Sequence, residues 1–223
     1  MFRKTAKVWE EKIAHGLRMA EILDAELSEF GPAEGIVAGT QIATQMGWRP
    51  VEAIAAGDMV MTFDHGLLPV AAVKRSQLWI SGRACPSQLK PLAVPVGALG
   101  NKTPMLLLPE QPVLVESDMA EALFGDPFAL IPAAALEGYR GIDRITPHQR
   151  VEVVVLEFEH DQVIYANGAG MVHCASVHAG GIATLFDEEM PSYETLPLEM
   201  ARSIVAGLID EDQTAHAYAC AAE

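Results

Sequence analysis

Basic residues are scarce in this chain of 223 residues: 15 Lys and Arg stand against 30 Asp and Glu, a formal charge of −15. A surface so poor in cations has nothing with which to displace the counterions around DNA or RNA, so nucleic-acid binding is excluded as a function class. Docking on an anionic membrane surface fails for the same reason. Cysteine is rarer still, at three residues, Cys85, Cys174 and Cys220. Widely spaced and odd in number, they imply no disulfide framework, and reduced thiols in a cytoplasmic protein are expected. Long apolar runs are missing too, and none approaches the ~20 residues of a membrane-spanning helix. Near the N-terminus Glu10, Glu11 and Glu21 break up any signal-peptide core. Neither internal repeats nor low-complexity segments occur.

What the chain does contain is apolar mass. Half of its residues are hydrophobic and its mean hydropathy is +0.19, which excludes a disordered chain and predicts one main core. Three regions of different texture follow one another. Residues 1 to about 30 carry Val8, Ile13, Leu17, Ala20, Leu23 and Leu27 at helical spacing, with charges on the other side. Phe30-Gly31-Pro32 ends this predicted helix, because proline excludes its predecessor from the helical region. From residue 35 to about 180 the pattern changes to short apolar runs divided by glycine and proline. Met59–Phe63, Leu67–Trp79, Met105–Glu116 and Val151–Phe158 read as strands, with Asp64-His65-Gly66 as a tight turn. Met59, Met61, Met105 and Met119 are expected in the core. Residues 181–223 turn acidic. From Asp187 to Glu223, nine acids against the single Arg202 give −8 of the total charge, a solvated tail preceded by a short helix over Leu196–Leu208. Gly207 weakens the end of that helix, and the last dozen residues are expected to fray.

The opening of the middle region, Gly35-Ile36-Val37-Ala38-Gly39-Thr40-Gln41-Ile42-Ala43-Thr44 with Arg49-Pro50-Val51-Glu52-Ala53-Ile54 and Gly57-Asp58-Met59-Val60, resembles the start of a bacterial hedgehog/intein (Hint) domain. Further blocks follow in the same order as in that family. Val94-Pro95-Val96-Gly97-Ala98-Leu99-Gly100 resembles its Gly-Ala-Leu-Gly turn, and Leu107–Val115 its block usually written Ser-Pro-Asp-His-Arg-Val-Leu. Ala122–Gly125 and Leu130–Ala133 match the segment after that block, and Val154–Gly168 its late strand pair. The resemblance implies a mostly β, flattened horseshoe over residues 35–180, with an N-terminal helical leader (residues 1–34) and an acidic C-terminal helix and tail (residues 181–223). It also implies autocatalytic peptide-bond rearrangement, begun by a Cys side chain at the first position of the opening motif.

The departures from the family pattern all fall on chemistry. Gly35 occupies the nucleophile position and has no side chain, a loss that geometry cannot offset. Gln111 occupies the histidine position of the later block, and an amide has no proton equilibrium near neutral pH. A late histidine of the bacterial form corresponds to Asp161, with His160 one place earlier and, on a strand, facing the other way. Thr40 is the surviving hydroxyl of the Gly-Thr turn and reads as structural, since a free threonine without a base is a poor nucleophile. Tyr165-Ala166-Asn167-Gly168 and Met171-Val172-His173-Cys174 resemble an intein C-terminus in which Cys174 has replaced the cyclising Asn, and Asn167 reads as a turn residue. His173 and Cys174 are the positions where a residual cleavage role would reside. His173, Cys174 and His178 lack the second ligand pair that a structural zinc site requires, so neither metal nor cofactor is predicted. The expectation is a degenerate Hint domain acting as a non-catalytic scaffold or interaction module. The alternatives are an autoprocessing domain, and a dimerisation or docking module built on helix 1–30. A protein partner would use either the stripe of that helix or the old cleft.

Overall fold

The computed structural model describes residues 34–78, 89–146, 150–178 and 193–221, with side chains up to residue 214 in the last stretch. The predicted N-terminal helix and Cys85 lie outside them. The short apolar runs form strands β1 (Ile36–Val37), β2 (Gln41–Thr44), β3 (Gly47–Pro50), β4 (Met59–Thr62), β5 (Gly66–Pro69), β6 (Ala72–Leu78), β7 (Leu92–Val94), β8 (Met105–Leu107) and β9 (Pro112–Glu116). Helix α1 (Asp118–Phe124) follows, then β10 (Phe128–Pro132), β11 (Asp143–Arg144), β12 (Val151–Glu157), β13 (Gln162–Ala166), β14 (Gly170–Cys174) and helix α2 (Leu198–Ala221). The mostly β class predicted from the sequence is the class observed.

Every pairing between these strands is antiparallel. One sheet runs in the order β11-β7-β8-β1-β12-β6, the other β10-β9-β14-β13-β2-β4-β5 with β3 on β2. The principal core joins Ile36, Leu92, Val154 and Leu156 of the first sheet to Ile42, Val60, Val113 and Ile164 of the second. Val154–Gly168 is therefore not a strand pair. β12 pairs with β1 and β6, whereas β13 pairs with β14, so consecutive strands enter different sheets. Alternation along β4 also corrects the methionine reading: Val60 and Thr62 point inward and Met61 outward, while Met105 is buried and Met59 and Met119 are half-buried.

Local polar groups fix the turns that aim these strands. The Thr62 hydroxyl donates to Gly66 O and accepts from His65 N–H, closing the predicted turn between β4 and β5. Asp58 Oδ2 accepts from Ala55 N–H and from Arg49, so its carboxylate ties down the turn into β4. Asn167, at φ 50°, accepts from Gln41 N–H and donates to Thr103 O and Pro104 O. It is a turn residue, as predicted, tied to β2 and to the approach of β8.

Helix α2 buries Ala201, Ile204, Val205 and Leu208 in the principal core. It continues past Leu208, where the apolar pattern fades, to Ala221. Polar anchors hold this extension: Glu211 accepts from the Ser117 hydroxyl and Asp118 N–H at the start of α1, and Asp212 pairs with Arg140. Gly207 lies inside the helix, at the point where α1 crosses closely. A Cβ there would stand 2.9 Å from Met119 Cβ.

Candidate functional site

The site forms where the chain enters β1. Gly35 is buried and adopts φ +126°, a conformation that residues with a side chain rarely adopt. β1 lies against β12 in the register Ile36↔Val154, which brings the neighbouring valines of β12 up to the Gly35 Cα. A Cβ at Gly35 would fall 2.5 Å from Val153 Cγ1 and 3.2 Å from Val155 Cγ2. Val153 is fully buried among Val37, Leu78 and Leu108 and has no room to retreat. The position that the resemblance assigns to a nucleophile is thus closed to any side chain by both backbone and neighbours.

Gln111 precedes β9 and is almost wholly buried. Its Oε1 accepts from Gly35 N–H at 3.1 Å, while Nε2 donates to His173 O at 2.8 Å and to Pro112 O at 3.1 Å. Only one orientation of the amide satisfies these partners, since a backbone N–H needs the oxygen and two carbonyls need the NH₂. Gln111 therefore clamps the Glu34–Gly35 peptide to β14. Each of its bonds is buried, and losing one leaves a polar group without water.

His173 on β14 is 9% exposed, and neither ring nitrogen has a hydrogen-bond partner. Its Nε2 lies 3.7 Å from Asp161 Oδ2, an ion-pair separation too long for a hydrogen bond. The ring stands edge-on to Tyr193, with centroids 5.8 Å apart. Asp161 Oδ1 accepts from Ser176 N–H at 2.7 Å. The facing His173 ring first, and the Ser176 amide after it, hold the Asp161 carboxyl below the usual carboxylate range against the opposing effect of burial. His160 and Asp161 lie between β12 and β13, not on a strand, so the one-residue shift does not reverse a side-chain face there. The loop delivers Asp161 to His173 instead.

Sequence reasoning overlooked Glu34. Partial burial pushes its carboxyl above the ordinary range; His173 opposes that rise, and Glu110 and Asp161 add to it. The only signal for it was its place immediately before Gly35. Cys174 alternates away from His173 into the principal core, where complete burial, and secondarily the Glu34 charge, raises its thiol far above the usual value. It is a protonated core thiol and not a thiolate nucleophile. Thr40 is buried in the turn between β1 and β2, where its N–H donates to Val37 O and its carbonyl accepts from Val51 N–H. The structure thus gathers Gly35, Gln111, Asp161 and His173, with Glu34 at the mouth. His173 and Asp161 can hold a proton; Gly35 supplies no atom to attack a carbonyl. Among the described residues, no group of three or more His, Cys, Asp and Glu could hold a metal ion.

The family model of the Hint domain matches residues 35–180. A bacterial intein-like domain from Clostridium thermocellum is 17% identical; the match covers 63% of this chain and 98% of that one, with a TM-score of 0.44. A splice-inactive variant of the AceL NrdHF class 3 split intein is 12% identical over 64% of this chain and 97% of its own, with a TM-score of 0.40. The gp41-1 intein is 14% identical over 64% and 98%, with a TM-score of 0.36. No curated protein matches the chain. With the family match spanning well over half of its residues, this chain belongs to the Hint domain family.

Proposed function

We propose that this chain uses the Hint fold as a non-catalytic module, its first chemical step removed and its cleft retained as a folded surface for a protein partner. One observation carries the reading: a Cβ at Gly35 would lie 2.5 Å from Val153 Cγ1, on a backbone at φ +126°. The site is packed for a residue with no side chain, which is more than the loss of one thiol. Gln111 supports the same reading, since its three buried bonds make it a clamp on the peptide, with no proton to donate to a leaving amine. In this reading residues 35–180 form the module with helix α2 packed into its core, residues 1–34 form a leader, and the acids of residues 181–223 that face solvent keep it in solution. The module works inside the cell. Among the described residues no helix is long and apolar enough to cross a membrane.

The competing reading is self-cleavage before Gly35 or near Cys174. What favours it is the His173–Asp161 pair, retained in the site with buried ring nitrogens that have no hydrogen-bond partner. Intact mass of freshly purified full-length protein separates the two. A single species of full mass supports the non-catalytic module. Fragments ending at Glu34 or around Cys174, lost in His173→Ala, support the enzyme.

A further inference from the structure

A second concavity lies on the outer face of the β10-β9-β14-β13 sheet and includes none of Gly35, Gln111, Asp161 or His173. Its volume is about 460 Å³, within the ~300–1,000 Å³ of small-molecule sites. Leu114 and Leu130 form its floor, part of a small apolar cluster separate from the principal core. Three half-buried aromatic rings wall it: Phe63, Phe128 and Tyr193. Phe63 and Phe128 meet edge to face, centroids 5.0 Å apart and planes at 69°, so the pair cannot close over the cavity by stacking flat.

The rim carries charge of one sign. Asp64, Asp126 and Glu194 line the cavity, and among the described residues no Lys or Arg lines it. Two of these carboxylates are held in place, Asp126 by Phe128 N–H and Asp64 by the Tyr193 hydroxyl. His65 is tied back to Gln162 through Nδ1. Aromatic walls under a fixed acidic rim form an environment that favours a cation over a neutral or anionic group. The walls further select among cations. An alkylated ammonium loses little hydration on entering a ring-lined cavity, whereas a compact, strongly hydrated ion such as sodium loses much.

We propose that this cavity binds a methylated ammonium group. The group could belong to a free small cation or to a methylated lysine side chain, since the rings and carboxylates recognise only the shared head. The test is a titration of the full-length protein followed by the ring resonances of Phe63, Phe128 and Tyr193. Choline chloride and a peptide carrying trimethyllysine serve as probes, and sodium chloride at matched ionic strength and the neutral choline isostere 3,3-dimethylbutan-1-ol serve as controls. Saturable shifts with either cationic probe, and markedly weaker ones with both controls, are expected. Tighter binding of the peptide assigns the head to a side chain, and tighter binding of choline to a free cation. Phe63→Leu should weaken binding about three- to thirty-fold, the loss of one cation–π face. Glu194→Gln, an exposed change that leaves the fold intact, should weaken it as well. No saturation with either probe would overturn the proposal. So would equal binding of the isostere, or unchanged affinity in both variants with their melting temperatures intact.

Discussion

Gly35→Cys, which restores the family's nucleophile on paper, should destabilise the protein and produce no cleavage. The new Cβ would stand 2.5 Å from Val153 Cγ1, where carbon atoms in contact normally sit about 3.5–4.0 Å apart. Val153 is fully buried and β-branched, so it has neither space nor a spare rotamer to yield. Overpacking of this kind costs about 1–3 kcal/mol. Holding a non-glycine residue at φ +126° costs about 1–3 kcal/mol more. Together, roughly 2–6 kcal/mol would be lost from a typical total of about 5–15 kcal/mol. At this chain length that corresponds to a drop of roughly 5–20 °C in melting temperature. Gly35→Ala carries the same Cβ without a thiol and should fall by a similar amount. Adding Val153→Ala to either variant should recover part of the loss, a coupling that a double-mutant cycle in urea measures. A Gly35→Cys protein that melts like the parent and breaks at Glu34–Gly35 would refute the reasoning.

Gln111→Ala should cost about 1–3 kcal/mol in urea titrations, because the Gly35 N–H and the His173 carbonyl are left buried without partners. Gln111→His should not rescue it, since one imidazole cannot accept from one group and donate to two others. The lowered Asp161 carboxyl contributes stability that is present above its unfolded value and lost as pH falls through its folded value; Asp161→Asn should therefore flatten the acid limb of a melting-temperature profile below about pH 4. Glu34 has the opposite sign: its raised carboxyl favours the fold below the unfolded value and loses that contribution as pH rises through the folded one. Glu34→Gln should thus raise the melting temperature at pH 7 more than at pH 4. Gly207→Ala would add about 1 kcal/mol at an open helical position, but the Cβ would meet Met119 at 2.9 Å; chemical denaturation should show a net loss.

The strands were legible because their apolar runs are short and punctuated by turn residues, as at Thr62–Gly66 and Asn167. Their distribution between two sheets was not. Nothing in the composition of Val151–Glu157 tells that it joins β1 and β6 while Gln162–Ala166 joins β14. The extent of α2 was hidden because its second half is held by Glu211 and Asp212, which read only as tail charge in the sequence. At the site, the missing nucleophile at Gly35 and the amide at Gln111 were visible as losses. That Gln111 bridges three carbonyl and amide groups depends on segments up to 76 residues apart in sequence, and that Val153 fills the space of a side chain at Gly35 depends on segments farther apart still. Asp161 was identified, but its partner His173 could be found only once the loop before β13 was in place.

The most direct test is the intact mass of the full-length chain after prolonged incubation at neutral pH, with and without hydroxylamine or added thiol. A sole species at full mass under every condition is predicted, because Gly35 offers no side-chain atom to form an ester or thioester. A fragment beginning at Gly35, appearing or accelerating with the added nucleophile, would contradict it.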